Sequence, residues 1–316
     1  MTEPGHREVT HEIAVEAPPD EVYRLLAEVA NWPRIFPPTI HVDRLEATGQ
    51  QERIRIWATG NGEPKTWTSR RTLDPQARRI DFRQEVCAPP VAAMGGAWLI
   101  EPLPAGISRI RLLHDYRAVG DDPDGLDWID RAVDGNIRAE LAALKANVKS
   151  TLAAAGQVTL SFEDMVRVDG SPQDLYDFIN RADLWRERLP HVARVELTEK
   201  TTGIQILEMD TRTKDGSTHT TKSVRVCFPH HRIVYKQVTL PALMTLHTGE
   251  WRFEPNGDGT ASASSQHTVV INPATITAVL GPGAGAAQAR EFVKNALSGN
   301  SLATLGLAKS YAESRR

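Results

Sequence analysis

The alternation of hydrophobic and polar positions occurs twice along this chain. Short runs in which apolar and polar residues alternate predict strands, and in the first half they fall near residues 10–16, 52–59, 65–73, 79–86, 95–102 and 107–117. Shifted by 153 positions, the sequence matches itself without a gap from about residue 12 to 116. A repeat of this length is the size of a whole domain. We therefore predict two domains of one fold, at residues 1–155 and 156–316.

Helical periodicity appears at two places in each copy. A helix after the first strand begins near Pro19 in the first copy and near Pro172 in the second, and proline is favoured at the first helical position. Apolar residues from Leu126 to Leu152 recur every three or four positions, which predicts one long helix. The corresponding helix of the second copy, roughly 285–312, is expected to be interrupted at Ser298-Gly299-Asn300.

The order of elements predicts an α+β fold. A meander of strands with one apolar face has to be covered, and the long C-terminal helix of each copy is the element that can cover it. A curved antiparallel sheet wrapped around such a helix leaves an interior cavity. This pattern resembles the helix-grip fold of the START and Bet v 1 superfamily, whose members enclose apolar ligands.

Charge and cysteine content exclude several classes of protein. The net charge of −3 and the pI near 6.4 give no reason to expect nucleic acid or an anionic membrane as a partner. Cys87 and Cys227 are not repeat mates, so a shared disulfide framework is excluded. The first 16 residues have no apolar signal region. We expect a cytoplasmic protein.

Sequence motifs for metals, nucleotides and covalent nucleophiles are absent. His230 and His231 are neighbours and would face opposite sides of a strand, so they do not form a metal site together. The segment 281–287 is rich in glycine but lacks the ending of a phosphate loop. No GxSxG elbow is present. An enzyme with this sequence is expected to use no metal and no cofactor.

Three polar residues of the first copy fall on strand faces that are otherwise apolar: Arg71, Gln84 and His114. Burial of such groups is costly unless they are paired. In the ungapped match Arg71 is aligned with Val224, and this asymmetry favours chemistry in the first cavity. The same three positions are also compatible with a satisfied internal hydrogen-bond network, or with an assignment of faces that is wrong by one residue. The alternation places Trp57 on the outer face.

These residues resemble those of bacterial polyketide aromatase/cyclases of the di-domain class. The similarity lies in the Trp32-Pro33 corner followed by Phe36, the WTSRR strand from Trp67 to Arg71, Met94 and Trp98. The resemblance implies cyclisation and aromatisation of the first ring of a poly-β-ketone held on an acyl carrier protein. It also implies a minimal polyketide synthase and a ketoreductase as pathway partners. A tyrosine found in single-domain members falls here on Thr39.

The resemblance places the family's important pocket arginine at Arg71. Its guanidinium stays charged and is suited to hold an enolate oxygen, whereas His114 has the pKa needed to move a proton. Ser69 is the third catalytic candidate, and Asp134 or Asn136 at the start of the last helix is a candidate to hold a carbonyl or a water. We expect the following residues to bind substrate: Trp32, Phe36, Trp67, Phe82, Gln84, Met94, Trp98, Asn136, Trp185, Lys222, Gln237, Trp251 and His267.

Two questions stay open in the sequence. The first domain is expected to carry the main reaction, and the second to be structural, to bind substrate or to use Lys222 for a separate step. The alternative to an enzyme is a non-catalytic carrier of hydrophobic ligands, because this fold often only binds.

Overall fold

The computed structural model describes residues 5–60, 63–153, 158–212, 216 and 218–316. The chain divides into two compact units after Ala153. The sequence predicts a short join at Ala153–Gln157, and beyond Ala153 this join lies outside the described residues.

The first unit is built on an antiparallel sheet of seven strands in the order β1-β7-β6-β5-β4-β3-β2. Helix α1 and the short helix α2 lie between β1 and β2 in the chain, and the 31-residue helix α3 ends the unit. The bounds are β1 His6–Val15, α1 Pro19–Ala27, α2 Trp32–Ile35, β2 Thr39–Thr48, β3 Gln51–Gly60, β4 Glu63–Asp74, β5 Arg79–Gln84, β6 Val91–Leu103, β7 Ile107–Ala118 and α3 Pro123–Ala153.

The second unit repeats this plan, with the strand order β8-β14-β13-β12-β11-β10-β9. One short helix, α6, is added before the final helix α7. The bounds are β8 Thr159–Val168, α4 Pro172–Asn180, α5 Trp185–Arg188, β9 Val192–Thr201, β10 Ile204–Arg212, β11 Thr218–Phe228, β12 Arg232–Thr239, β13 Met244–Pro255, β14 Ala261–Ile271, α6 Ile276–Leu280 and α7 Ala286–Glu313.

The predicted α+β class with two antiparallel sheets is confirmed, and two details of the prediction are wrong. Strands β2 and β9, which form one edge of each sheet, were not predicted. Helix α7 runs through Ser298-Gly299-Asn300 without the expected interruption. The polar side chains in this stretch have partners or line a cavity: Ser298 donates to the carboxylate of Asp164 at 2.8 Å, and Asn300 faces the interior.

The final helix of each unit contributes to the core in a different way. In the first unit, apolar residues along α3, from Leu126 to Val148, pack in one cluster with Trp98 and Ile110 of the sheet. In the second unit the core is divided between a cluster that contains Leu305 of α7 and another that contains Val293 of the same helix. Among the described residues, no helix is both long and apolar enough to cross a membrane.

Candidate active site

The strand register of the second unit differs from the ungapped repeat. In the first unit, Arg71 of β4 lies opposite Glu52 of β3 and opposite Phe82 of β5. Glu52 and Phe82 correspond to Gln205 and Tyr235 in the second unit. The residue of β11 that lies opposite both of these is Arg225.

The structural mate of Arg71 is therefore Arg225, and the predicted pairing of Arg71 with Val224 is wrong. The chain has one residue more between Gln205 and Arg225 than between Glu52 and Arg71. It has one residue fewer between β11 and β12 than between β4 and β5. The two changes cancel outside this strand, so the offset of 153 holds on both sides of it and fails only within it.

Arg71 is buried, and most of its hydrogen-bond donors are occupied. Its Nε donates to Oε1 of Glu52 at 2.7 Å, and Nη2 makes a close ion pair with the same oxygen. Nη1 and Nη2 donate to the carbonyl oxygens of Leu26 and Ala27 at 3.1 and 2.6 Å. These carbonyls belong to the last turn of α1, where the carbonyl oxygens of a helix have no N–H partners within the helix. Arg71 therefore joins α1 to the sheet.

The charge of Arg71 is balanced by a buried carboxylate. Glu52 is 6% exposed, and its second oxygen accepts a hydrogen bond from Nε of Arg44 at 2.7 Å. Burial lowers the pKa of Arg71, whereas the adjacent Glu52 raises it. A buried ion pair in which each guanidinium nitrogen and both carboxylate oxygens have a partner is typical of a structural arrangement.

Arg225 occupies the same place with a different set of neighbours. It is 2% exposed, its Nη2 donates to the carbonyl oxygen of Ile179 at 2.7 Å, and its guanidinium lies 5.3 Å from the ring centre of Trp185. The facing residue is the amide Gln205, where the first unit has Glu52. In the part of the chain that the structure describes, Arg225 has no ion-pair partner, and its Nη1 is buried without a hydrogen bond. Burial lowers its pKa.

A cavity of about 360 Å³ lies next to Arg225 inside the second unit. Its walls come from strands β10 to β14, from α5 and α6, and from one face of α7, and they contain members of both core clusters. The polar and charged residues of the lining are His191, Thr211, His219, Thr221, Ser223, Arg225, Tyr235, Gln237, His247, His267, Asn300, Ser301 and Thr304. The remaining lining is largely apolar, including Trp185, Leu207 and Trp251.

Trp185, which lines this cavity, carries a second unused donor. Its Nε1 is buried without a hydrogen-bond partner among the described residues. In the first unit the equivalent residue is Trp32, whose Nε1 donates to the carbonyl oxygen of Leu26 at 3.0 Å. Buried donors are nearly always bonded in native proteins. Two unpartnered donors beside one cavity are therefore suited to an oxygen atom of a ligand.

Two histidines, a tyrosine and two serines form a buried cluster at the cavity wall, in which the hydroxyl of Ser265 lies 3.1 Å from Nε2 of His267 and 3.2 Å from the hydroxyl of Ser301. Nδ1 of His267 lies 2.9 Å from Nε2 of His247 and 3.1 Å from the hydroxyl of Tyr235. Nε2 of His267 lies 2.8 Å from the hydroxyl of Ser301. Burial lowers the pKa of His267 to about 4, and burial together with His267 lowers the pKa of His247 to about 3. Both imidazoles are neutral near pH 7.

Several predicted residues of the first unit lie in its core. Trp32, Phe36 and Trp98 belong to the main cluster or pack directly on it, and Phe82 and Met94 pack against it as well. These five residues contribute to the packing of that unit.

The polar candidates of the first unit are more dispersed. His114 contacts the edge of Phe82 with ring centres 5.2 Å apart, and burial lowers its pKa to about 4. Ser69 is buried and lies opposite Gln84, whose amide donates to the carbonyl of Val86. The expectation that Asn136 faces the interior is not met, because its side chain is exposed on α3.

Two tryptophans of β3 and β4 show how the strand faces are covered in the first unit. The sequence predicts Trp57 at the surface, but it is 5% exposed and its ring lies 5.5 Å from that of His41. The prediction for Trp57 is wrong because both faces of β3 are covered at this point. Trp67 of β4 packs against the small cluster that contains Ile54.

Four of the residues predicted in the second unit line the cavity, and one does not. Trp185, Gln237, Trp251 and His267 are part of the lining. The prediction for Lys222 is wrong: its side chain is 43% exposed and its Nζ lies 3.9 Å from Oε2 of Glu208. The one-residue shift in β11 turns Lys222 to the face opposite to the cavity.

Four residues that line the cavity were not predicted from the sequence: Arg225, Tyr235, His247 and Ser301. Arg225 was hidden by the ungapped alignment. A signal for two of the others exists in the differences between the copies, since Tyr235 and His247 stand where the first copy has Phe82 and Met94. Among the described residues no group of three or more histidine, cysteine or acidic side chains is arranged to hold a metal ion.

Comparison with protein-family models gives one family over both units. The model described as polyketide cyclase/dehydrase and lipid transport matches residues 6–149 and again residues 159–313. The match in two tandem copies agrees with the internal repeat.

Two relatives are similar over nearly the whole chain. The granaticin polyketide synthase bifunctional cyclase/dehydratase of Streptomyces virginiae is 54% identical over 302 residues, which covers 94% of this chain and 97% of that protein. The actinorhodin polyketide synthase bifunctional cyclase/dehydratase of Streptomyces coelicolor is 45% identical, with 96% of each chain covered.

Two solved structures have the same two-unit architecture. The di-domain ARO/CYC BexL from the BE-7585A biosynthetic pathway is 65% identical with a TM-score of 0.91, and the match covers 98% of this chain and all of that one. The di-domain ARO/CYC StfQ from the steffimycin pathway is 33% identical with a TM-score of 0.86, over 97% and 99% of the two chains.

Proposed function

Since the chain belongs to the polyketide cyclase/dehydrase and lipid-transport family, we propose that it is an aromatase/cyclase of a type II aromatic polyketide pathway. Its substrate is a ketoreduced poly-β-ketone carried by an acyl carrier protein. The reaction is closure of the first ring followed by loss of water and aromatisation. The family, the relatives and the cavity chemistry of the second unit support this assignment.

The observation that carries the proposal is the pair of unused donors at Arg225 and Trp185. Ring closure and dehydration both pass through a state in which negative charge develops on a ketone oxygen. Donors that are already oriented and desolvated stabilise such an oxygen most effectively. Arg225 offers Nη1 with a full positive charge, and Trp185 offers Nε1 from the ring against which that guanidinium lies.

We expect proton transfer in this cavity to involve His267. Its imidazole is neutral near pH 7, lines the cavity and contacts the hydroxyl of Ser301. A neutral imidazole takes up a proton on one nitrogen and releases one from the other, so His267 is suited to take part in moving a proton from carbon to a departing hydroxyl, which is general acid–base catalysis. Arg225 is unsuited to this role because a guanidinium does not release its proton in the working pH range.

The apolar part of the lining determines how the chain folds on itself. A flexible poly-β-ketone has many ways to close a ring, and only one of them brings the correct carbon atoms together. Trp185, Leu207 and Trp251 present large apolar surfaces around the donors. Holding the reacting atoms in one geometry is worth several kcal/mol of the barrier, so we expect these walls to select the site of ring closure.

We place the chemistry in the second unit, although the sequence alone favoured the first. Each guanidinium nitrogen of Arg71 has a partner in Glu52 or at the end of α1, whereas Nη1 of Arg225 has none among the described residues. The first unit is then a structural partner that retains the same fold. The polyketide synthase and the ketoreductase of the pathway would be the cytoplasmic partners.

Product analysis in a reconstituted minimal synthase with ketoreductase tests this proposal. We expect Arg225→Met to lower formation of the aromatic product by a factor of 10² to 10³, the usual effect of removing one oxyanion donor. Arg252→Met serves as the matched control, because Arg252 is exposed on β13 and pairs with Glu250. Circular dichroism and thermal melting establish that both variants fold.

Two results would contradict the proposal. An unchanged product pattern with Arg225→Met rules out a catalytic role for the cavity cation. A variant that binds the polyketide more weakly but leaves the product distribution intact indicates a carrier of hydrophobic ligands instead of an enzyme.

A further inference from the structure

The buried cluster of the second unit forms a continuous chain of hydrogen-bonding atoms whose first and last residues, His247 and Ser301, both line the cavity. One end is Nδ1 of His247, which is buried and has no hydrogen-bond partner among the described residues. From Nε2 of the same ring the chain passes to Nδ1 of His267 over 2.9 Å, and from Nε2 of His267 to the hydroxyl of Ser301 over 2.8 Å. All three residues line the cavity.

Neutral imidazoles can occupy this chain in two complementary arrangements. In the first, His247 and His267 each carry a proton on Nε2, and they donate to His267 and Ser301 respectively. In the second, each ring carries its proton on Nδ1, and Ser301 donates to Nε2 of His267. Because neutral imidazole has one donor and one acceptor nitrogen, each arrangement satisfies every contact within the chain.

From this geometry we infer that His247, His267 and Ser301 form a neutral proton relay that couples the two proton transfers of dehydration. This inference rests on the proposed function of the cavity. His247 accepts the proton from the carbon next to the ketone, and Ser301 delivers a proton to the hydroxyl that leaves. His267 connects the two ends.

The proton and electron balance of the step is complete. The C–H bond breaks and its proton joins Nδ1 of His247, while its electron pair forms the new C=C bond. The C–O bond breaks, and the hydroxyl takes the proton of Ser301 and leaves as water. Within the relay one proton moves from His247 to His267 and another from His267 to Ser301. The relay is then in its second arrangement and returns to the first by exchange with water after product release.

The depressed basicity of both rings favours transfer without a charged intermediate. Burial lowers the pKa of His247 to about 3 and that of His267 to about 4, so an imidazolium is unfavourable at either position. A proton that enters at one end must therefore be matched by one that leaves at the other. Desolvation keeps the relay neutral throughout.

Tyr235 and Gly249 are positioning residues for this relay. The hydroxyl of Tyr235 lies 3.1 Å from Nδ1 of His267 and 3.4 Å from Nε2 of His247, so it contacts the junction of the two rings. A Cβ atom at position 249 would lie only 2.3 Å from that hydroxyl. The glycine thus leaves the space that the phenol occupies.

The first unit shows the same site without the relay. Phe82 and Met94 stand at the positions of Tyr235 and His247, and the remaining histidine, His114, has a buried Nδ1 without a partner among the described residues. Phenylalanine and methionine at these positions are compatible with the fold. They therefore provide substitutions for the second unit that remove the relay and keep the packing.

Dehydration kinetics of the cyclised, hydroxyl-bearing intermediate test the relay in the whole protein. We expect His247→Met and Ser301→Ala each to slow dehydration by a factor of 10² to 10⁴, the usual contribution of acid–base catalysis. Tyr235→Phe should have a smaller effect. Wild-type protein should show a solvent deuterium isotope effect with a curved proton inventory, since several protons move together. Ser264→Ala is the matched control, a buried serine of the same strand as His267 that faces the opposite side.

A second measurement does not depend on turnover. ¹⁵N spectra of histidine-labelled protein at pH 7 should show His247 and His267 neutral, and His247→Met should change the tautomer of His267. A charged imidazole at either position, or a His267 tautomer that ignores His247→Met, would overturn the relay.

The outcomes separate this inference from the proposed function. If Arg225→Met abolishes the product while His247→Met and Ser301→Ala keep the wild-type rate, the relay is wrong and the active site stands. If none of the three substitutions changes the product, the proposed function fails and the relay fails with it.

Discussion

The two buried arginines Arg71 and Arg225 occupy equivalent places and have different partners. Arg71 and Arg225 each reach the end of the first helix of their unit and lie against a tryptophan. Arg71 is neutralised by the carboxylate of Glu52. Arg225 faces the amide of Gln205, and its Nη1 has no partner among the described residues.

This difference suggests a rule for these two sites: the residue that faces the buried arginine determines whether the guanidinium is paired with a carboxylate or keeps an unbonded donor. Glu52 holds two donors of Arg71 and cancels its charge. Gln205 instead donates from its Nε2 to Oε2 of Glu199 at 2.8 Å, and no hydrogen bond joins it to the guanidinium of Arg225 among the described residues. A buried charge without a partner is costly. Such a cost is expected where the charge is needed for a ligand, which favours the cavity of the second unit as the binding site.

The largest effect that we expect from this comparison is on the stability of the first unit. Arg71→Met leaves Glu52 buried with only Arg44 as a partner, so we expect a loss of roughly 3 kcal/mol in the free energy of unfolding. Arg225→Met leaves no carboxylate behind and removes one hydrogen bond, so its cost should stay within about 1 kcal/mol. Urea unfolding of the two variants measures the difference.

A double substitution sharpens this prediction. Arg71→Met together with Glu52→Leu removes both buried charges and should recover most of the lost stability. Equal destabilisation by Arg71→Met and Arg225→Met would show that the two guanidinium groups play the same role, and the comparison would fail.

The fold could be largely predicted from the sequence because it depends on periodicity. Alternation located most of the strands, and the spacing from Leu126 to Leu152 located α3. Strand β2 was missed because its second half is exposed and carries charged residues such as Arg44 and Glu46, so little alternation remains. The continuity of α7 was missed because Ser298 and Asn300 have polar roles that only the tertiary structure reveals.

The next largest effect is expected on product formation, when the carboxylate–arginine pair of the first unit is reproduced in the second unit. The double replacement Gln205→Glu with Glu199→Gln exchanges the amide and the carboxylate of a bonded pair. A carboxylate then faces Arg225, as Glu52 faces Arg71. We expect a 10- to 100-fold loss of aromatic product, because the charge available to a developing oxyanion is reduced.

The single variant Glu199→Gln is the control for this experiment, since it keeps Gln205 opposite Arg225. Its product yield should stay near that of the wild-type protein. Full activity of the double variant would mean that the free charge of Arg225 is not used in the reaction.

The site could be predicted only in part, and the reason lies in β11. Val224, Arg225 and Val226 are all buried, so both faces of this strand are covered and alternation does not reveal its register. The insertion before the strand is cancelled by a deletion after it, so the ungapped match looks intact. A face assignment wrong by one residue was considered for the first copy only, but the structure places such an error in the second copy, in β11. His267 and Trp185 were found because they lie outside the shifted segment.

The smallest effect is expected at Lys222, which the ungapped alignment placed in the second cavity. The register puts its side chain on the outer face of β11, where it is 43% exposed and 3.9 Å from Glu208. Surface ion pairs of this kind are worth less than about 1 kcal/mol. Lys222→Ala should therefore leave the product yield of the reconstituted synthase unchanged and shift the free energy of unfolding by no more than about 0.5 kcal/mol. A clear loss of product with retained stability would place Lys222 at the substrate after all, and would contradict the register that makes Arg225 the counterpart of Arg71.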